Sequence, residues 1–167
     1  ATGSSSERRA PFTLNTSTLA HDLLLTEVIS ALKCRWPNYV MVSGRHISER
    51  RGRTPDAVAR LSSGDVAVEL ELTAKSEARY RQIVMQYRLD DRFAQVLYIA
   101  RSQAIADKLY AVITGTGLRE SGFRQSTGAF HFAMLDEILS DPEAAMISNG
   151  ESQIPASSRG KVFENAV

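Results

Sequence analysis

The segment Val66-Ala-Val-Glu-Leu-Glu-Leu72 alternates two kinds of side chain with a period of two. A helix would scatter that set around its circumference, whereas a strand sorts it onto two faces. Val66, Val68, Leu70 and Leu72 then point one way, and Ala67, Glu69 and Glu71 the other. The fold must therefore contain a sheet with an apolar face at this strand, and must accommodate two like charges side by side. Carboxylates that close repel, and partial burial strengthens the repulsion. Two resolutions exist. Either the second face is solvated and both glutamates point to water, or a divalent cation such as Mg²⁺ or Mn²⁺, which favours hard oxygen ligands, sits among them.

The flanking sequence builds an α/β fold around this strand. Ser62-Ser-Gly-Asp65 is a tight-turn sequence, so Asp56–Leu61 pairs with the glutamate strand as a hairpin. Upstream, Tyr39–Ser43 reads as a short strand. Before it, Thr18 is an N-cap for a helix carrying Leu19, Leu23, Val28, Ile29 and Leu32, which ends at Trp36-Pro37. Downstream, Ser76 caps a helix to about Leu89, with Ala78, Ile83, Val84 and Tyr87 as its apolar stripe. Gln95–Ala100 is a continuous apolar run, typical of a buried central strand. A helix over 102–113, a turn at Gly115-Thr-Gly117, a strand over Ala129–Leu135 and a closing helix Leu135–Leu139 complete the chain. The order is α-β-β-β-α-β-α-β, an α/β architecture whose mixed sheet is flanked by helices.

With 167 residues, 43% of them hydrophobic, the chain is long enough for one domain with a real core. That domain is expected over 12–140. Residues 1–11 read as a Ser-rich tail, and 141–167 as a flexible or loosely docked tail without sustained periodicity. An opening Ala in place of Met suggests a processed chain or a fragment. No apolar run approaches the ~20 residues of a membrane span. The single cysteine, Cys34, excludes a disulfide framework and a Cys-rich zinc site, and a cytosolic setting follows as the default. Beside Arg35 and Trp36, Cys34 reads as a packing residue.

Further charged groups converge on the glutamate strand. Asp56, after Pro55, starts the other strand of the hairpin, so pairing carries it toward the far end of the glutamate strand. Lys75 lies four positions past Glu71, where its ammonium approaches the same place. Just before Asp56, the stretch from Gly44 to Arg53 holds Arg45, Arg50, Arg51 and Arg53 against one glutamate. Such a stretch suits phosphate oxygens, and a solvated loop is the equally simple reading. Arg79 and Arg81 extend the basic patch. The net charge of +1 hides an asymmetry: residues 1–60 hold nine basic and five acidic side chains, so the excess of acid lies in the remainder.

Pro55-Asp56 followed thirteen residues later by Glu69-Leu-Glu71, within an α-β-β-β-α-β order, resembles the PD-(D/E)xK nuclease superfamily. The resemblance implies a restriction-endonuclease-like core in which Asp56, Glu69 and Glu71 hold one or two Mg²⁺ or Mn²⁺ ions. The usual lysine of the motif is Glu71 here. Either Lys75 supplies a displaced cation, or Glu71 itself holds metal or water. Over most of 19–110, Leu19-Ala-His-Asp-Leu-Leu-Leu, Ser48-Glu-Arg, Arg53-Thr-Pro-Asp56 and ELELTAKSEARY are similar to MOBC-type plasmid relaxases and their replication-relaxation relatives. That likeness implies a bacterial cytoplasmic nickase acting at a plasmid origin of transfer, with relaxosome accessory and coupling proteins as further partners and no membrane. It also implies an N-terminal DNA-binding domain that this sequence does not encode. Related nucleases use an acid on the first helix, which brings His21, Asp22 and Glu27 forward as further site residues.

Other chemistries fit less well. A relaxase using clustered histidines and a tyrosine nucleophile is disfavoured, because His21, His46 and His131 are scattered. Tyr80 and Tyr87 share one helix face and read as packing. A DNA-binding accessory protein that keeps the nuclease fold without cleavage is the principal alternative. A protein-interaction module leaves the Asp56, Glu69 and Glu71 spacing unexplained.

Overall fold

In a computed structural model, the described residues are 16–37, 39–47, 52–61, 64–115, 129–148 and 153–154. Helix α1 (Thr16–Arg35) leads into β1 (Val40–Ser43), and a 3-10 turn (Gly44–His46) follows. The hairpin strands are β2 (Ala57–Leu61) and β3 (Gly64–Glu71). Then come α2 (Glu77–Arg88), β4 (Phe93–Ala100), α3 (Gln103–Gly115), β5 (Phe130–Met134) and α4 (Leu135–Ser140). Two-residue strands β6 (Ile147–Ser148) and β7 (Gln153–Ile154) close the described part. No helix of the described residues is long and apolar enough to cross a membrane.

The seven strands of the described residues form one mixed sheet in chain order. β2 runs antiparallel to β1 and β3, whereas β3, β4 and β5 are parallel. Parallel neighbours need crossovers, and α2 and α3 supply them on one face of the sheet. The period-two reading of β3 holds. Val66, Val68 and Leu70 pack with Leu25, Val28 and Leu32 of α1 and Ile138 of α4. Ala67 faces Tyr80, Ile83, Val84 and Tyr87 of α2 and Leu109 of α3. The sheet is thus covered on both faces, and each fully buried Leu, Ile or Val contributes roughly 1.5–3 kcal/mol.

The cover of α2 rules out the solvated reading of the glutamate face. Glu69 is 3% exposed and Glu71 1%, so neither points to water.

The capping reading of α2 is correct, since Ser76 Oγ accepts the Arg79 N–H. On α1 the helix begins before Thr18, and Leu19 and Leu23 are exposed while Leu25, Val28 and Leu32 carry the core. Adjacent leucines at 23–25 made two stripes equally regular, and packing selected the second. Ala78 likewise faces outward. Cys34, expected to pack, is exposed. Past Ser140 the chain still contributes to the sheet: Ala145 and Ile147 are buried, β6 pairs with β5, and Arg35 donates to the carbonyls of Pro142 and Ala145 at 2.6 Å.

Candidate active site

The end of β3, the start of β2 and the end of β1 meet at one edge of the sheet, where open α/β sheets place their ligands. The β2–β3 ladder ends at Ala57↔Val68, so one step further Asp56 stands opposite Glu69. Asp56 is held from two sides. Its Oδ2 accepts the backbone N–H of Leu70 at 2.8 Å, and its carbonyl accepts that of Gly44 at 2.8 Å. From α1, His21 Nε2 lies 3.5 Å from Asp56 Oδ2, and His21 Nδ1 lies 3.9 Å from Asp22 Oδ1. These groups line a cleft of about 510 Å³ together with Thr18, Ser43 and Thr54.

Glu69 is clamped. Arg53 donates Nε–H to Oε1 at 2.7 Å and Nη2–H to Oε2 at 2.9 Å, and the Tyr87 hydroxyl donates to Oε1 as well. Both oxygens accept, the pattern of an ionised carboxylate. Burial is the largest influence on Glu69 and pushes its carboxyl above the ordinary value. Arg53 opposes the shift, and the charge of Asp56 adds to it. Burial works against the Arg53 guanidinium too, but the hydrogen bonds and charge of Glu69 outweigh it and hold its pKa above the usual arginine value. Burial, then the charge of Glu69, drives the Tyr87 hydroxyl far above the tyrosine range.

The main chain under the clamp is fixed by a second ion pair. Arg92 Nη2 donates to the Arg53 carbonyl at 2.8 Å, while Arg92 holds Asp90 through Nε at 2.8 Å and Nη2 at 2.6 Å. Those hydrogen bonds keep Asp90 below the ordinary carboxylate value. Gly52, with φ of 71°, lets the chain pass Asp90, since a Cβ there would stand 2.8 Å from Asp90 Oδ2.

Glu71 takes the ammonium of Lys75 on Oε2, four residues along. Its Oε1 is buried without a partner, as is the hydroxyl of Tyr98. Tyr98 lies directly across from Glu69 in the β3–β4 ladder.

The structure therefore brings Asp56, Glu69, Glu71 and Lys75 to one end of the sheet, with His21 and Asp22 beside Asp56. Glu27 is exposed on α1 and does not line the cleft. Arg79 is exposed and bonds Gln82 at 2.6 Å. Arg50, Arg51 and the side chain of Arg45 lie outside the described residues. Arg53, read from the sequence as a DNA contact, pairs with Glu69 in this structure. Its spacing from Asp56 was legible; its partner was not, because burial of the glutamate face depends on α2. Tyr87 was legible as packing, and its hydroxyl has the added role of a donor.

Among the described residues, no three His, Cys, Asp or Glu side chains gather into a metal-holding group. The oxygens of Asp56 and Glu71 have the hardness that Mg²⁺ and Mn²⁺ require, and Glu71 Oε1 is orphaned. Glu69 fits such an ion only when Arg53 releases it. The chain matches no protein-family model, no curated protein and no solved structure.

Proposed function

We propose that this chain is a metal-dependent DNA endonuclease, the catalytic part of a nickase that opens a plasmid origin of transfer by hydrolysis. The observation that carries the reading is the juxtaposition of Asp56 with Glu69 across the hairpin, with Glu71 two residues further on the same face. The element order α-β-β-β-α-β-α-β, on which the restriction-endonuclease-like resemblance rests, supports it. A bound Mg²⁺ or Mn²⁺ would lower the pKa of a water and neutralise charge on the scissile phosphate. Asp56 and Glu71 would hold that ion, with Glu69 joining once freed. Lys75 fixes the rotamer of Glu71, and His21 stands at the cleft wall beside Asp56, within reach of a proton on a bound phosphate or water.

The test is nicking of supercoiled plasmid carrying a matched transfer origin, with Mn²⁺ or with EDTA. Conversion to open circle in Mn²⁺, lost in Glu69→Gln plus Glu71→Gln, is the expected result. Equal behaviour of wild type and that variant would end the nuclease reading.

One observation favours a second reading, a DNA-binding protein that keeps the fold without cleavage. Arg53, Lys75 and Tyr87 already satisfy three of the four glutamate oxygens. On that reading the wild type binds plasmid DNA in Mn²⁺ and leaves it supercoiled.

A further inference from the structure

We propose, resting on the reading of this chain as a DNA-acting protein, that Arg101 holds a backbone phosphate of the DNA beside the cleft. The crest that carries it is built by the loops after β3 and β4. Because those strands are parallel, both loops leave the sheet at the end where Asp56 and Glu71 lie. The Arg101 N–H donates to the Glu71 carbonyl at 3.0 Å, so the second loop sits directly against the end of β3. Thr73, Ser76, Arg101 and Ser102 are exposed there.

Charge separates this crest from an ordinary solvated edge. Residues 72–76 and 101–106 hold two cations, Lys75 and Arg101, and no acid. Lys75 is committed to Glu71, Arg79 bonds Gln82, and Arg81 pairs with Glu77. Among the described residues, the Arg101 guanidinium has neither an ion pair nor a hydrogen bond. The cleft beside it has the opposite sign, since Asp22 and Asp56 line it and no lysine or arginine does. A phosphate chain repelled by those carboxylates is held where a free guanidinium fork meets it. The spacing suits one strand of DNA. Asp56 precedes β2 and Arg101 follows β4, two strand spacings or about 10 Å apart across the sheet. A DNA strand advances ~3.4 Å per phosphate along its axis, so the phosphate on Arg101 lies about three nucleotides from one at Asp56. Thr73 and Ser102 add hydroxyl donors, and contacts of this kind position the strand without reading its sequence.

The test uses the 167-residue chain and short fluorescein-labelled duplexes of two unrelated sequences. Binding is read by anisotropy over a series of KCl concentrations, without divalent cation. Losing one phosphate contact lowers the slope of log affinity against log salt by about one unit, alike on both sequences. Arg101→Gln should show that loss, and Arg101→Lys, which keeps the charge, should retain the wild-type slope. Arg60 is the control, an exposed arginine on β2 at the opposite end of the sheet, across from Asp65. Arg60→Gln should leave slope and affinity unchanged. Both side chains are exposed, so urea midpoints equal to that of the wild type separate lost contact from lost fold. A wild-type slope in Arg101→Gln, or an equal loss in Arg60→Gln, overturns the contact. If the wild type still binds with a steep salt dependence, the contact alone falls; if it binds neither duplex at any salt, the DNA reading falls with it.

Discussion

Gly44 lies so close to Pro55 that a methyl group on its α-carbon would stand 1.7 Å from the Pro55 carbonyl oxygen. The same glycine donates its N–H to the carbonyl of Asp56, so the bend that delivers the Asp56 carboxylate leans directly on it. The atom in the way is main chain, which cannot swing aside as a side chain would. Gly44→Ala should therefore lose about 3 kcal/mol in urea denaturation. It should also lower any activity that depends on Asp56 by more than the remaining folded fraction accounts for. A loss under about 0.5 kcal/mol would show that the two segments are not in contact.

Removing the clamp strands an acid. In Arg53→Ala, Glu69 keeps its burial and its neighbour Asp56 and loses two charged donors, so its carboxyl moves further above the ordinary value. A carboxyl whose folded pKa exceeds its unfolded one is favoured by folding in its protonated form. The deficit is then smallest in acid and grows as pH rises through the folded value. Denaturation should show a loss of about 3–5 kcal/mol at pH 8 and a clearly smaller one at pH 5. Equal losses at both would assign the cost to packing.

The glutamate strand shows how far sequence carries and where it stops. Its period of two placed Glu69 and Glu71 on one face, and hairpin pairing brought Asp56 to them, because both rules are local. Whether that face is wet or dry is not local. It depends on the docking of α2, which puts Tyr80 and Tyr87 over the strand. The same gap hid the Arg53–Glu69 pair: an arginine sixteen residues before a glutamate carries no signal until the glutamate is known to be buried. The stripe of α1 held at Val28, Ile29 and Leu32 and missed at Leu19 and Leu23 for a different reason. Leu19, Leu23, Leu25 and Leu32 allow two registers of equal hydrophobicity, and the contact with Val66, Val68 and Leu70 breaks the tie.

Tyr98 carries a buried hydroxyl with no partner. An unsatisfied buried hydroxyl costs roughly 1–3 kcal/mol of desolvation, and the ring itself stacks on Phe130 and Phe132 without needing the oxygen. Tyr98→Phe should leave stability unchanged or raise it by about 1 kcal/mol in urea. A loss of more than about 1 kcal/mol would show that the hydroxyl is hydrogen-bonded in the folded protein.

His131, on β5, is 3% exposed, and burial pushes its ring down to about 4 from the ordinary 6.5. Folding thus favours the neutral ring, while the unfolded chain takes up a proton below pH 6.5. Stability attributable to this residue is intact above 6.5 and declines as pH falls toward 4, by about 3 kcal/mol in all. Urea midpoints between pH 7 and 4.5 should fall for the wild type and fall less for His131→Leu. Parallel curves would show that another group controls the acid limb.

Asp56 offers the cleanest separation of charge from fold. Its Oδ2 accepts the Leu70 N–H, and an asparagine carbonyl accepts that bond equally well. Asp56→Asn therefore keeps the hairpin end in place and removes only the negative charge facing Glu69 and His21. Loss of one ligand charge to a catalytic cation amounts to several kcal/mol of transition-state stabilisation, at about 1.4 kcal/mol per tenfold in rate. On the proposed nuclease reading, plasmid nicking in Mn²⁺ should drop by about a hundredfold or more, with a urea midpoint close to that of the wild type. Nicking that survives the substitution at the wild-type rate would remove Asp56 from the chemistry and leave it only its bond to Leu70.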